Sequence, residues 1–316
     1  DIIRVGEDYY LAGTTMHSVP GLVVLHSKDL VNWEFSSYCF DRFDNSDDFN
    51  LRNGKEAYGQ GIWAPAIRYH NGKFYIFSNI NGHGLQVYIS DSAKGPWTHH
   101  KVNGDIYDLS VLFDENGKIY AVHKYGNVTI TELKPDLSGP VEGSSKVVIP
   151  EGNAMGEGHH VYKINGMYYI LSADYSPMGR MQCARSKSIW GPYETCVISE
   201  RESYGYAAGW SVGNMGIGRP LPEDGFKFQN NKPNGLNLGC ATIHQGGIVQ
   251  APDGKWWGVS MQDFNAVGRT VCLSPITWVD GWPYFGLEKN LGRSPRTWFK
   301  PNDAVKAPQA PYVRCD

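Results

Sequence analysis

Four side chains stand at matching distances ahead of a repeated glycine turn, and their types suit work on a sugar. Trp63, in GIWAP, lies nine residues before Gly72, and Asp108, in IYDLS, lies nine before Gly117. Glu157, in GEGHH, lies nine before Gly166, and His244, in TIHQGG, lies ten before Gly254. If those turns are one turn of a repeated unit, the four side chains belong to one layer of the molecule. Two carboxyl groups beside an indole suggest glycoside hydrolysis. One carboxylic acid protonates the leaving oxygen, and the other carboxylate activates water or attacks the sugar. Carboxylates from different units face each other across a channel, which suits the wide separation of inverting enzymes, about 6.5–9.5 Å. A lone Asp or Glu near a turn is ordinarily just solvated, so it is the shared register that carries the reading.

The surroundings of each candidate sharpen it. Glu157 lies between Gly156 and Gly158, which allow close approach of a substrate. Partial burial and the neighbouring Asp108 would both raise its proton affinity, as a general acid requires. His159 and His160 are adjacent, so on a strand they point to opposite faces and do not suit a shared metal. His244 alone reads first as an ordinary buried histidine, and after that as a metal ligand or a support for the pocket base. Arg269, in VGRTV, opens a strand of the last unit, where it is either a surface charge or a donor to sugar hydroxyls and carboxylates.

The elements that must position these residues recur along the chain. An apolar run, a polar turn ending in Gly and an aromatic strand appear in IIRVGEDYYLAG, AIRYHNGKFYIFS, SVLFDENGKIYAV, HHVYKINGMYYILS and GGIVQAPDGKWWGVS. Such turns close β-hairpins. Most copies continue into a third strand (LVVLHS, LQVYIS, MQCARS, TVCLSP) and a tail built on Trp or Tyr (LVNWE, GPWT, GPYE, PITW). Each unit is therefore a three- or four-stranded antiparallel meander, and five copies predict an all-β, five-bladed β-propeller. The tail aromatic is expected to pack between neighbouring blades. A β-sandwich shares the short strands and Gly turns, but the repeated order of features disfavours it. Residues 41–60 and about 197–240 read as surface excursions.

Composition supports a folded all-β chain. The 316 residues carry 41% hydrophobic and 13% aromatic side chains with 37 Gly, and no helical period is sustained. Lys and Arg number 29 against 32 Asp and Glu, so there is no basic excess for nucleic acid, and no apolar run is long enough to span a membrane. Six cysteines form no CxxC pair. Cys183 and Cys196 flank IWGP nearly symmetrically, which lets them face each other across a hairpin, a weak hint of an oxidising compartment, secreted or periplasmic; buried free thiols fit the spacing as well.

These motifs resemble glycoside hydrolase family 43, in its β-xylosidase and α-L-arabinofuranosidase branch. The likeness runs through IIRVGEDYYLAGTTMHSVPGLVVLHSKDLVNWE, GIWAPAIRYHNGKFYIF, YDLSVLFDENGKIY, GEGHHVYKINGMYYIL, HQGGIVQAPDGKWW and GRTVCLSPITWVDGWP, in that order. It implies an inverting exo-acting or debranching hydrolase of xylan or arabinoxylan oligosaccharides. The general acid matches Glu157, the Asp that tunes it matches Asp108, and the substrate-binding positions match Trp63, Arg269 and His244. It implies no catalytic cofactor but allows a structural calcium near His244, although no oxygen-rich calcium loop is legible. The sequence departs at the base. The family's D-x-D/S segment puts that Asp two positions before Asp1, outside this sequence. The resemblance also implies a propeller over 1–306 and, at 307–316, a linker toward a β-sandwich accessory domain. A carbohydrate-binding propeller without catalysis is the alternative function.

Overall fold

The turns that the repeat marks set the strand pairing. In Asn71-Gly72 and Asn165-Gly166 both residues take positive φ (48° and 80°, 50° and 77°), the mirror-image turn that joins two twisted strands through two residues. Gly6, Gly117 and Gly254 also have positive φ, at 64°, 80° and 84°. At the last two the loop is longer, and the Gly amides bond back to Asp114 O and Ala251 O at 2.9 Å.

A computed structural model describes residues 1–44, 46–153, 155–174, 180–199, 244–263 and 269–292, without the side chains at 174, 244, 262, 263, 269 and 290. Blade one is β1 (Ile2–Val5), β2 (Asp8–Gly13), β3 (Gly21–Ser27) and β4 (Trp33–Phe40). Blade two is β5 (Ala66–His70), β6 (Lys73–Ile80), β7 (Gly84–Ser90) and β8 (Thr98–Val102). Blade three is β9 (Ser110–Phe113), β10 (Ile119–His123), β11 (Val128–Leu133) and β12 (Lys146–Ile149). Blade four is β13 (Glu157–Ile164), β14 (Met167–Asp174), β15 (Arg180–Ser186) and β16 (Glu194–Val197). Blade five is β17 (His244–Gln250), β18 (Trp256–Asp263), β19 (Arg269–Val279) and β20 (Trp282–Phe285). Every blade is a four-stranded antiparallel meander in sequence order. The first strands lie side by side in a closed ring, β1 between β17 and β5, and β9 and β13 completing the circuit. The chain is thus a five-bladed propeller.

The core is divided among the seams between blades. Ile2, Tyr9 and Leu30 meet Val249 and Trp257 between blades one and five, while Leu22 and Val24 meet Ile67 and Ile76 between one and two. The tail aromatics reach back across these seams as the repeat suggests. The Trp97 indole donates to Ser37 Oγ of blade one at 3.0 Å, and Trp278 meets Tyr169 of blade four edge-on at 5.5 Å. Cys183 stands directly opposite Cys196 in the β15–β16 pair, as the spacing allows, and both are free thiols. The excursion at 41–60 forms no strand, and its Phe43 and Phe49 rings pack around His83. Most of the second excursion, from 200 onward, lies outside the described residues, as does the linker expected at 307–316.

The axis is filled by polar groups. Arg68, on β5, donates through Nε to Val111 O, through Nη1 to Asp1 Oδ2 and Ile67 O, and through Nη2 to Ser110 Oγ. Ser110 Oγ also accepts from Val161 N at 3.0 Å. Tyr162 Oη accepts from Ile248 N at 2.9 Å. Each blade therefore contributes to one hub network. Blade five must come close to do so: a Cβ on Gly247 would stand 2.4 Å from Tyr162 Oη.

Candidate active site

Asp108 and Glu157 meet where β9 and β13 begin. The backbone at Asp108 is left-handed (φ 51°), a conformation that Asp tolerates better than most residues and that recurs at functional sites. It is held by Asn79, which ends β6: Asn79 Oδ1 accepts from Asp108 N at 3.1 Å, and Asn79 Nδ2 donates to Ile106 O at 2.9 Å. The Asp108 carboxylate then reaches the next blade, where Oδ2 accepts from Gly158 N at 2.7 Å. The Asp108 carboxylate is thus anchored to the residue that follows Glu157.

Glu157 sits at a break in the strand ladder. It pairs with Ala173, the next regular pair is His160 with Leu171, and a bulge lies between. Bulges re-aim side chains beside active sites. Gly158 makes this one possible: its φ is 66°, and a Cβ there would stand 2.4 Å from Gln245 Cγ of blade five. Tyr107, 45% exposed, donates its hydroxyl to Glu157 Oε2 at 3.0 Å. Burial, then the nearby Glu157 and Asp108 carboxylates, push the Tyr107 phenol well up, so it stays a donor.

The adjacent histidines serve different neighbours. His159 is buried, and its Nε2 donates to Lys124 O at 2.6 Å, so Nδ1 accepts from Ser172 Oγ at 2.5 Å. Burial holds this imidazole below its usual range, consistent with that neutral tautomer. Lys124, itself left-handed (φ 78°), donates its N–H to Tyr107 O at 3.0 Å. His159 therefore braces the turn that supports Tyr107. His160 Nδ1 donates to Gly158 O at 3.0 Å, while Nε2 stands 3.4 Å from Asp1 Oδ1. Arg68 already neutralises that carboxylate, so burial, foremost, and nearby positive charge hold His160 down to about 3.

Trp63 joins the same rim. Its N–H donates to Asn79 O at 2.9 Å, its carbonyl accepts from Ser78 Oγ at 2.7 Å, and its indole is 36% exposed. One residue, Asn79, thus ties Trp63 to Asp108. The backbone of His244 opens β17, and that of Arg269 opens β19 opposite Asp263; both side chains lie outside the described residues. Asp1 is not poised as a base. Its side chain is 4% exposed and is engaged by Arg68, by Ile67 N at 3.1 Å and by Ile2 N at 2.8 Å. Among the described residues, no three His, Cys, Asp or Glu side chains gather as a metal's ligands would, so the calcium allowed by the resemblance has no described donor set.

Sequence reasoning missed Asn79, Tyr107 and Arg68. Tyr107 had a signal, since it directly precedes a singled-out Asp. Asn79 and Arg68 lie inside strand motifs that read as framework.

A propeller that presents two carboxyl groups and an exposed indole at the mouth of its axis has the architecture of a carbohydrate-active enzyme. Comparison with known proteins is specific: residues 1–205 match the family model for glycosyl hydrolases family 43. The chain is 33% identical to the non-reducing end alpha-L-arabinofuranosidase of Bacteroides ovatus over 95% of its length, covering 53% of that protein. It is 29% identical to the beta-xylosidase of Formosa agariphila over 98% of its length, again covering 53% of the relative. A bifunctional GH43-CE structure from Bacteroides eggerthii superposes with a TM-score of 0.77 at 33% identity, covering 95% of this chain and 35% of that one. The chain belongs to glycosyl hydrolase family 43, and it spans about half the length of the two named relatives.

Proposed function

We propose that this chain is the catalytic propeller of an inverting glycoside hydrolase that releases xylose or arabinofuranose from xylan- or arabinoxylan-derived oligosaccharides. The observation that carries the reading is the nearness of the two acids: the Asp108 carboxylate accepts from Gly158 N, the residue after Glu157, which opens the same strand. Glu157 is the general acid, giving its proton to the leaving oxygen. Asp108 is a fixed negative neighbour that raises the acid's proton affinity and orients it. Trp63 offers an exposed aromatic face for the C–H side of a pentose ring, and the family likeness assigns Arg269 and His244 to substrate binding. The family pattern calls for a further Asp as the base that activates water, a role for which Asp1, engaged by Arg68, is not free. The relatives named as an alpha-L-arabinofuranosidase and a beta-xylosidase support both pentoses. A polymeric plant substrate fits a secreted or periplasmic setting.

The test is Glu157→Gln, assayed on an unactivated oligosaccharide and on a nitrophenyl glycoside. Loss of proton transfer is expected to cost roughly 10²–10⁴-fold on the first and far less on the second, whose leaving group needs little protonation. A variant that keeps the wild-type rate on the oligosaccharide would overturn the assignment. Binding of xylo-oligosaccharide with no turnover by the full-length protein, its upstream segment included, would favour a carbohydrate-binding role.

A further inference from the structure

The acid has a hydrogen-bond donor that neither the motif pattern nor the two-carboxylate scheme calls for. Tyr107 precedes Asp108, and its hydroxyl lies 3.0 Å from Glu157 Oε2. The backbone of Tyr107 is held too: Lys124 N donates to Tyr107 O at 3.0 Å, and Lys124 O accepts from buried His159 at 2.6 Å. Gly126 N donates to Gly156 O at 3.0 Å, tying the same turn to the residue before the acid. A backbone braced this way presents the phenol to Glu157 from a fixed base.

We infer that Tyr107 is a positioning residue for the acid, holding one oxygen of Glu157 and weakening that carboxyl's grip on its proton. The inference rests on the reading of Glu157 as general acid. A neutral donor on a carboxylate favours the ionised form, whereas a negative neighbour disfavours it. Tyr107 and Asp108, consecutive in sequence, therefore pull Glu157 in opposite directions. An acid held too tightly protonated is a poor donor, and one held too loosely is spent at neutral pH, so a balance near the working pH is what catalysis rewards. Among the described residues, Lys124 on the β10–β11 turn and His159 and His160 on β13 are further titratable groups near this position. The phenol can hold its role over a wide range, because burial and the two carboxylates keep it protonated.

Tyr107→Phe removes the hydroxyl and leaves the ring. The variant is compared with wild type and with Glu157→Gln on xylobiose or an arabinosyl-xylo-oligosaccharide and on the matching nitrophenyl glycoside, with kcat/KM followed against pH and folding checked by thermal melting. The basic limb of the Tyr107→Phe profile is expected to move up by about 0.5–1 pH unit. Its kcat is expected to fall about 5–30-fold on the oligosaccharide and less than about 3-fold on the nitrophenyl substrate. If Glu157→Gln shows the leaving-group selectivity but Tyr107→Phe leaves the limb in place, or loses both substrates equally, the Tyr107 inference fails and the acid stands. If Glu157→Gln shows no selectivity, the acid reading fails and the inference goes with it.

Discussion

Replacing Arg68 by Met would test whether the hub is an ion-pair network or only a packed axis. Arg68 is 13% exposed and its partner Asp1 is 4% exposed, so the pair is shielded from water. The substitution keeps much of the stem but strips the cation from a buried carboxylate, and it removes donors to Val111 O and Ser110 Oγ. Breaking one side of a buried pair costs about 3–5 kcal/mol, because the remaining charge is left uncompensated. At about 2–4 °C per kcal/mol for a domain of this size, the melting temperature should fall by roughly 6–20 °C. Adding Asp1→Asn should return at least about 1 kcal/mol, since the neutral amide keeps an acceptor for one of Ile2 N and Ile67 N and no longer needs a cation. Calorimetry or fluorescence-detected melting of the two single variants and the double variant closes the cycle. A loss below about 1 kcal/mol for Arg68→Met, or penalties that merely add within about 0.3 kcal/mol, would refute the idea that the hub depends on charge pairing.

Other expectations follow from the site and its neighbours. Asp108→Asn keeps an oxygen for Gly158 N but removes the negative charge; the basic limb of kcat/KM should move down, opposite to Tyr107→Phe, with slower turnover of unactivated substrates. Gly158→Ala imposes a left-handed Ala at about 1–2 kcal/mol and crowds Gln245 Cγ, 2.4 Å from the new Cβ; a lower melting temperature and a reduced kcat should appear together. His123 is buried, and burial foremost holds its pKa down to about 4 against an ordinary 6.5. The unfolded chain therefore binds the extra proton between those values, and stability contributed by this site is lost as pH falls from 6.5 to 4, up to about 3 kcal/mol. Denaturant titrations across that window should show a flatter acid limb for His123→Gln than for wild type.

Much of the architecture was readable from local signals. Asn71-Gly72 and Asn165-Gly166 announce hairpins because few residues accept positive φ, and the apolar and aromatic strands around them leave little choice of pairing. The register that singled out Trp63, Asp108 and Glu157 picked out neighbours in the fold: Asn79 bonds to the backbones of Trp63 and Asp108, and Asp108 bonds to Gly158 N beside Glu157. Long-range partners were not readable in this way. Asn79 looks like the end of an aromatic strand until the fold brings it under Asp108, 29 positions away. Arg68 looks like a surface residue of AIRYH until five inner strands enclose it. Asp1 could be doubted as a base from its place in the family pattern, but its actual employment, as the counter-charge of Arg68, needed coordinates.

The seam between blades one and five differs in kind from a strand-swapped closure. Among the described residues, blade one is built from residues 2–40 and blade five from 244–285, and neither lends a strand to the other. The ring is held shut there by side chains such as Ile2, Tyr9 and Trp257, and an apolar hollow lined by Leu25, Val31, Val271 and Leu273 is left in the joint. A junction of that sort behaves like a clasp. It can loosen without unravelling any hairpin, so exchange of the buried amides along β1 and β17 should report its opening before any blade comes apart.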